Sequence, residues 1–272
     1  MAKRLLNGAE LAGFIKERQA KQVRMLRQAH HIIPKVAIIK SSEASAVIDS
    51  YVRLKERYAE DIFVEFEQIS CDQSEMAAQI ERLNRDESVQ AIVAQLPLDD
   101  VSQTDELVNQ IAPEKDVDGL GKDSEYISAT AEAIDWLLSG YGVELQDKKI
   151  VIAGKGRLVG APLIELWGER GYDITAIDKQ TKNTDEILLT GEVIVTATGQ
   201  PRLVHGDNVA HGAVVVDAGT ASEDGLIVGD VDPALLDRKD LIITPPKGGV
   251  GPLTVVLLFD HVIRAALEKI EK

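Results

Sequence analysis

The sequence predicts an α/β fold built as two parallel-sheet domains, the second of them a Rossmann-type dinucleotide-binding domain. Three observations predict it. Strand-like and helix-like segments alternate in two separate series, the pattern of parallel sheets with right-handed crossovers. The 272 residues are 44% hydrophobic but only 4% aromatic, so the core must be Ile, Val, Leu and Ala, as in parallel strands covered on both faces. The run KIVIAGKGRLVGAPLIELW, residues 149–167, reads as strand, glycine turn and helix.

The chain begins with an amphipathic helix over residues 1–19. Asn7, Glu10 and Lys16 interrupt its apolar face, which argues against a signal peptide. Strands are expected at Val36 to Ile39, Ile62 to Phe66 and Ala91 to Ala94. Helices are expected over Ala44 to Ala59, Ser74 to Asn84 and Ser102 to Ile111. A loop, Pro113 to Lys122, precedes a helix over Ala131 to Ser139. The second series places strands at Lys149 to Ala153, Asp173 to Ile177, Val193 to Ala197, Ala213 to Ala218 and Leu241 to Thr244. An apolar helix, Thr254 to Ile270, closes the chain. No run of apolar residues approaches the ~20 needed to span a membrane. The net charge of −15 disfavours nucleic acid and anionic membranes as partners. One cysteine, Cys71, cannot form an internal disulfide, which fits a reducing, cytoplasmic setting. No cluster with metal-ligand spacing is evident.

In the second domain, Gly154, Gly156 and Gly160 follow a strand and open a helix. Glycines let the backbone turn tightly and approach a pyrophosphate, and a helix N-terminus offers N–H groups to it. The next strand ends at Asp178, about 20 residues on, where a carboxylate reads a ribose 2′-hydroxyl. Thr198 and Gly199 lie at a further strand end. The cofactor residues expected are therefore Gly154, Lys155, Gly156, Arg157, Val159, Gly160, Asp178, Lys179, Thr198 and Gly199. Asp178 favours NAD; Lys155, Arg157 and Lys179 would welcome the 2′-phosphate of NADP.

In the first domain, YVRLK puts Tyr51 and Lys55 one helical turn apart on one face. A phenol beside an amine near a cleft can do proton work. The same spacing suits a plain core stripe of Val47, Tyr51, Leu54 and Tyr58 with Lys55 at its flank. Gln95 ends a strand that Pro97 cannot continue. PEKDVDGL, residues 113–120, sets Asp116 and Asp118 around what is also an ordinary Asp-Gly turn.

Taken together, SYVRLK, QLPLDD with IAPEKDVDGL, GKGRLVGAP and TPPKGGVGPLTV resemble the methylenetetrahydrofolate dehydrogenase/cyclohydrolase family in kind and order. Shorter echoes are ATGQPRLVHGD, HGAVVVDAGT and VGDVD. The resemblance spans nearly the whole chain. It implies oxidation of 5,10-methylenetetrahydrofolate to the methenyl form with NADP, or alternatively NAD. Hydrolysis to 10-formyltetrahydrofolate follows, with no metal, in one-carbon metabolism that feeds purine biosynthesis. By the same resemblance, Tyr51 stacks on the folate, Lys55 is the acid/base residue, Gln95 holds Lys55, and Asp118 bonds the pterin. Leu96, Pro97 and the loop Gly248, Gly249, Val250, Gly251 and Pro252 border the folate. It further implies a homodimer, a folate domain of residues 1–125 and 253–272 with the last helix returning to it, and a cofactor domain of residues 126–252. The chain departs from the family in a shorter loop after KDVDG, in the glycine-free KSSEASAVID after the first strand, and in Gly156 and Lys247, where the family has Ser and Pro. A dehydrogenase of another pterin or small substrate, and a non-catalytic folate-binding relative, are the competing readings.

Overall fold

The computed structural model describes residues 4–223 and 226–271. In chain order the elements are β1 (Arg4–Leu5), α1 (Gly8–His30), β2 (Lys35–Ser41), α2 (Ala46–Ile62), β3 (Glu65–Cys71), α3 (Gln73–Arg85), β4 (Ala91–Ala94) and α4 (Thr104–Val108). There follow α5 (Ala129–Gly140), β5 (Lys149–Ala153), α6 (Gly160–Glu169), β6 (Asp173–Ile177), α7 (Thr184–Thr190), β7 (Val193–Thr196), β8 (Val214–Asp217), β9 (Ala221–Glu223), β10 (Leu226–Val228), β11 (Ile242–Ile243) and α8 (Val250–Glu271). The chain divides into two compact units, one of Gly13–Ala129 with Val255–Lys272, the other of Met1–Ala12 with Thr130–Thr254.

The first unit holds a parallel sheet of order β3-β2-β4. Strands β2 and β4 are almost wholly buried, and Ile39, Ile92 and Ala94 pack with Met76, Ile80 and Leu83 of α3. The C-terminal helix returns here, as the resemblance implied: Phe259 stacks on Tyr58 at 5.2 Å, and Gln19 Nε2 donates to Val256 O at 2.9 Å. By length and composition α8 could cross a membrane, but 67% of that stretch is buried inside the protein, as in a core helix.

The strand expected at Ile62 to Phe66 lies later, at Glu65–Cys71. Helix α2 runs on to Ile62 and stops where Phe63 turns left-handed (φ 67°), its N–H closing on Ala59 and Glu60 carbonyls. β3 is an edge strand with one face open, so EFEQISC carries polar residues that a buried strand would lack. The helix expected over Ser102 to Ile111 is shorter, a 3-10 turn followed by α4.

The second unit holds a six-stranded parallel sheet of order β1-β11-β8-β7-β5-β6. Residues 4–12 fall in this unit rather than with the rest of the N-terminal domain, because β1 pairs with β11 (Leu5 opposite Ile243). The antiparallel hairpin β9–β10 and the edge strand β1 were not anticipated.

Candidate active site and cofactor site

Helix α2 buries Ile48, Val52, Ala59 and Ile62. Their spacing is that of one helical face, and Lys55 stands in its middle. The stripe suggested by sequence was one position off: Val47, Tyr51 and Leu54 are 51%, 41% and 48% exposed. An amine therefore occupies a core position, half-buried, with Nζ donating to Gln95 Oε1 at 2.9 Å. Burial pushes the Lys55 pKa down, and the Asp118 charge opposes that shift.

Gln95 follows β4 directly, its N–H bonded to Ile39 O at 2.8 Å. Its own amide nitrogen donates to Leu96 O at 3.0 Å, which fixes which end of the amide meets Lys55. The Leu96–Pro97 bond is cis, Leu96 packs against the first unit's core, and Pro97 is exposed. Lys55 and Gln95 thus meet in a hydrogen bond, the Asp118 charge acts on the same amine, and Tyr51 is exposed one turn from Lys55. Gly248, Gly249, Val250, Gly251 and Pro252 belong to the second unit. There the loop lies against the start of α1: Ala9 N donates to Gly248 O at 3.0 Å, and a Cβ on Gly8 would meet Gly249 O at 1.9 Å.

The glycine turn fits a pyrophosphate. Gly154 has φ +100°, and a Cβ there would lie 2.5 Å from Ala197 O. A Cβ on Gly160 would lie 1.9 Å from Gly154 O, so both positions require glycine for the helix to approach the turn. At the start of α6, Val159 makes no side-chain cap, Ala161 N is bonded to Gly156 O at 3.0 Å and Pro162 has no N–H, so it is the Gly160 N–H and the helix dipole that this end turns towards an anion. Gly156 differs, since nothing lies within 4 Å of an added Cβ. Lys155 Nζ pairs with Asp178 Oδ2 at 2.9 Å. Asp178 Oδ1 accepts from Gln180 N at 2.9 Å and Thr181 Oγ1 at 3.2 Å. The Lys155 bond, with these others, brings the Asp178 pKa down to about 2. Arg157, Lys179, Thr198 and Gly199 are exposed.

Two carboxylates beside this edge, Asp230 buried and Asp217 half-buried, were not singled out from the sequence. Asp230 Oδ2 accepts from Thr196 Oγ1 (2.6 Å), Thr198 N (2.6 Å) and Thr198 Oγ1 (2.8 Å), pinning the turn that carries Thr198 and Gly199. Asp217, ending β8, accepts from the N–H groups of Gly219, Asp230 and Val231, and burial pushes its pKa up. The signal available was an acid closing the apolar run VVVD and another in GDVD. A cavity of about 210 Å³ lies beyond them, lined among others by Arg202, Asp217, Glu223, Val228 and Thr244. None of the residues expected to bind cofactor lines it.

A unit with a glycine turn shaped for a pyrophosphate, and a parallel α/β unit with an amine on its core face, are the parts expected of a dinucleotide-dependent enzyme. Family models agree on which: the tetrahydrofolate dehydrogenase/cyclohydrolase catalytic domain matches residues 6–118, and that family's NAD(P)-binding domain matches residues 128–270. The chain belongs to the tetrahydrofolate dehydrogenase/cyclohydrolase family. The "Bifunctional protein FolD" of Lactobacillus helveticus is 38% identical over 274 residues, 96% of each chain. The bifunctional enzyme FolD of Campylobacter jejuni superposes with a TM-score of 0.92 at 30% identity, covering 98% of this chain and all of that one. The Trypanosoma brucei dehydrogenase-cyclohydrolase, solved with NADP and an inhibitor, gives a TM-score of 0.92 at 27% identity over the full length of both. The chain is accordingly a bifunctional methylenetetrahydrofolate dehydrogenase and methenyltetrahydrofolate cyclohydrolase.

Proposed function

We propose that Lys55 is the acid/base residue of the folate site, that Tyr51 and Asp118 seat the pterin, and that NADP is the preferred cofactor. The observation that carries the assignment is the Lys55 amine, set in a core stripe and held on Gln95 at 2.9 Å. Burial favours its neutral form and Asp118 its charged form, so the amine is able both to accept and to release a proton. It can take a proton from the water that adds to the electrophilic methenyl carbon and return it to the folate nitrogen that departs as the ring opens. Asp118 offers carboxylate oxygens to the N–H groups on the pterin edge. Tyr51, exposed on the same helix, offers a ring face to stack on.

The nicotinamide dinucleotide supplies the hydride acceptor for the oxidation. Gly154, Gly160 and the N-terminus of α6 would hold its pyrophosphate, with Lys155, Arg157, Thr198 and Gly199 around it. The preference for NADP is argued from Asp178. Its oxygens already receive three bonds, one from Lys155, which diminishes its capacity to accept a 2′-hydroxyl and offsets its repulsion of a 2′-phosphate. NAD is the alternative should that ion pair open on binding. The NADP-bound relative from Trypanosoma brucei supports the choice.

The assignment is tested with Gln95→Leu, which removes the acceptor that aims Lys55. Methenyl hydrolysis at neutral pH is expected to fall at least about tenfold, by loss of a hydrogen bond to a charged group, with NADP affinity unchanged. Hydrolysis at the wild-type rate would remove the pair from the mechanism.

A further inference from the structure

We infer that Asp116 is a positioning residue of the folate site, its buried carboxylate holding the turn that keeps Asp118 within electrostatic reach of Lys55. The inference rests on the roles given above to Lys55 and Asp118. The two acids of KDVDG differ in kind. Asp118 is half-buried, whereas Asp116 is 1% exposed and out of reach of a substrate. Asp116 Oδ2 accepts from Leu120 N at 3.1 Å and Gly121 N at 2.7 Å. Its backbone oxygen accepts from Gly119 N at 3.0 Å and Ser124 Oγ at 2.9 Å. One residue therefore closes the turn from both its side chain and its main chain, with Asp118 at the centre.

The neighbours complete the clamp. Lys115 Nζ donates to the carbonyls of Leu83, Asn84 and Asp86 at 2.8–2.9 Å, anchoring the loop to the end of α3. Val117 O is bonded to His261 Nδ1 of α8 at 2.8 Å. Gly119 has φ +67°, and a Cβ there would lie 2.5 Å from the Ile127 carbonyl carbon. Asp118 O accepts from Ala129 N at 3.3 Å. None of these bonds uses the Asp118 carboxylate, which is the part of the turn left to act on other groups.

A turn needs no acid at this point, because an amide oxygen could accept the same two N–H bonds. Burial instead pushes Asp116 up to about 6, with the charge of Asp118 adding to the shift and the Gly121 and Leu120 N–H bonds opposing it. An ionised carboxylate is the stronger acceptor for paired N–H groups, and it fixes them more firmly. The consequence reaches Lys55, because Asp118 is the charge that opposes the lowering of its pKa. If Asp118 swings away, burial acts unopposed and the Lys55 pKa falls further.

The experiment is the pH profile of methenyl hydrolysis in Asp118→Asn, Asp116→Ala, Asp116→Asn and the Asp116→Ala/Asp118→Asn double variant. NADP affinity and thermal melting check that each is folded. Asp118→Asn should move the Lys55 limb to lower pH. Asp116→Ala should move it the same way and raise the folate KM about tenfold, the effect of losing the charged Asp118 hydrogen bond to the pterin, with NADP affinity held. The double variant should add no further shift, since both substitutions act through one group. Asp116→Asn should return the limb most of the way. Should Asp116→Ala fail to fold, Gly121→Ala perturbs the same clamp, because its Cβ would sit 3.0 Å from Asp116 Oδ2. A limb that stays in place in Asp116→Ala, or in that substitute, while Asp118→Asn moves it would overturn the inference alone, as would additive shifts. A limb unmoved by Asp118→Asn would overturn the underlying reading of Asp118 and the inference with it.

Discussion

Replacing Lys55 by Met should separate chemistry from folding. The amine stands among Ile48, Val52, Ala59 and Ile62, where an unbranched apolar side chain fits the helix and the core alike. General acid/base groups contribute roughly 10²–10⁴-fold, so methenyl hydrolysis should fall by that factor, equivalent to about 3–5 kcal/mol of barrier. Stability should move the other way. The folded-state pKa of Lys55 lies below the ordinary 10.5, so between the two values the unfolded chain binds more protons, and wild-type stability rises with pH across that window. Below it, the folded protein carries the whole cost of a charged amine in its core. Lys55→Met removes that cost and should melt at or above the wild-type temperature at neutral pH, with a flatter dependence on alkaline pH. The assay is loss of methenyl absorbance alongside thermal melting, with NADP titration as a control. Wild-type hydrolysis in the folded variant would refute the assignment of Lys55. A melting temperature lowered by several degrees would show that Lys55 serves the core rather than the reaction.

Asp118→Ala should weaken folate binding by on the order of 1.5–3 kcal/mol, the worth of a hydrogen bond to a charged group, with nicotinamide cofactor affinity unchanged; equal folate affinity by titration would reassign Asp118 to the turn alone. Asp178→Asn should shift catalytic efficiency further towards NADP if the carboxylate faces the ribose, and a wild type preferring NAD by tenfold or more would contradict the proposed NADP preference. A homodimer is expected from the family resemblance, so sedimentation at micromolar concentration should give twice the 29.6 kDa chain mass, and a lone monomer would contradict it.

The parallel sheets were legible because buried strands such as KIVIA and AIVA are nearly pure aliphatic runs bounded by turn residues. β3 was misplaced because an edge strand alternates, while Phe63, which ends α2, looks like part of a strand. The two-residue β1 is too short for any period to reveal, and its parallel partner β11 lies more than two hundred residues away. At the site, Tyr51, Lys55, Gln95 and Asp118 were marked by motif order. Their division of labour was not, because spacing fixes a helical face only to within one position: the face holding Lys55 proved to be the core face, and the face holding Tyr51 the exposed one. Asp116 read as an ordinary turn acid, and Asp230 was not singled out at all. Their importance comes from burial and from backbone N–H groups converging on them, which only the folded chain supplies.

The central claim is that one chain carries both the oxidation and the hydrolysis. It is tested most directly by supplying 5,10-methylenetetrahydrofolate with NADP, and separately with NAD, while following reduced cofactor and methenyl product independently. Reduced cofactor should accumulate faster than methenyl product in the wild type, because hydrolysis drains the methenyl form. In Lys55→Met, any methenyl formed should persist. Absence of cofactor reduction with both nucleotides, or methenyl accumulating one-for-one with reduced cofactor in the wild type, would contradict it.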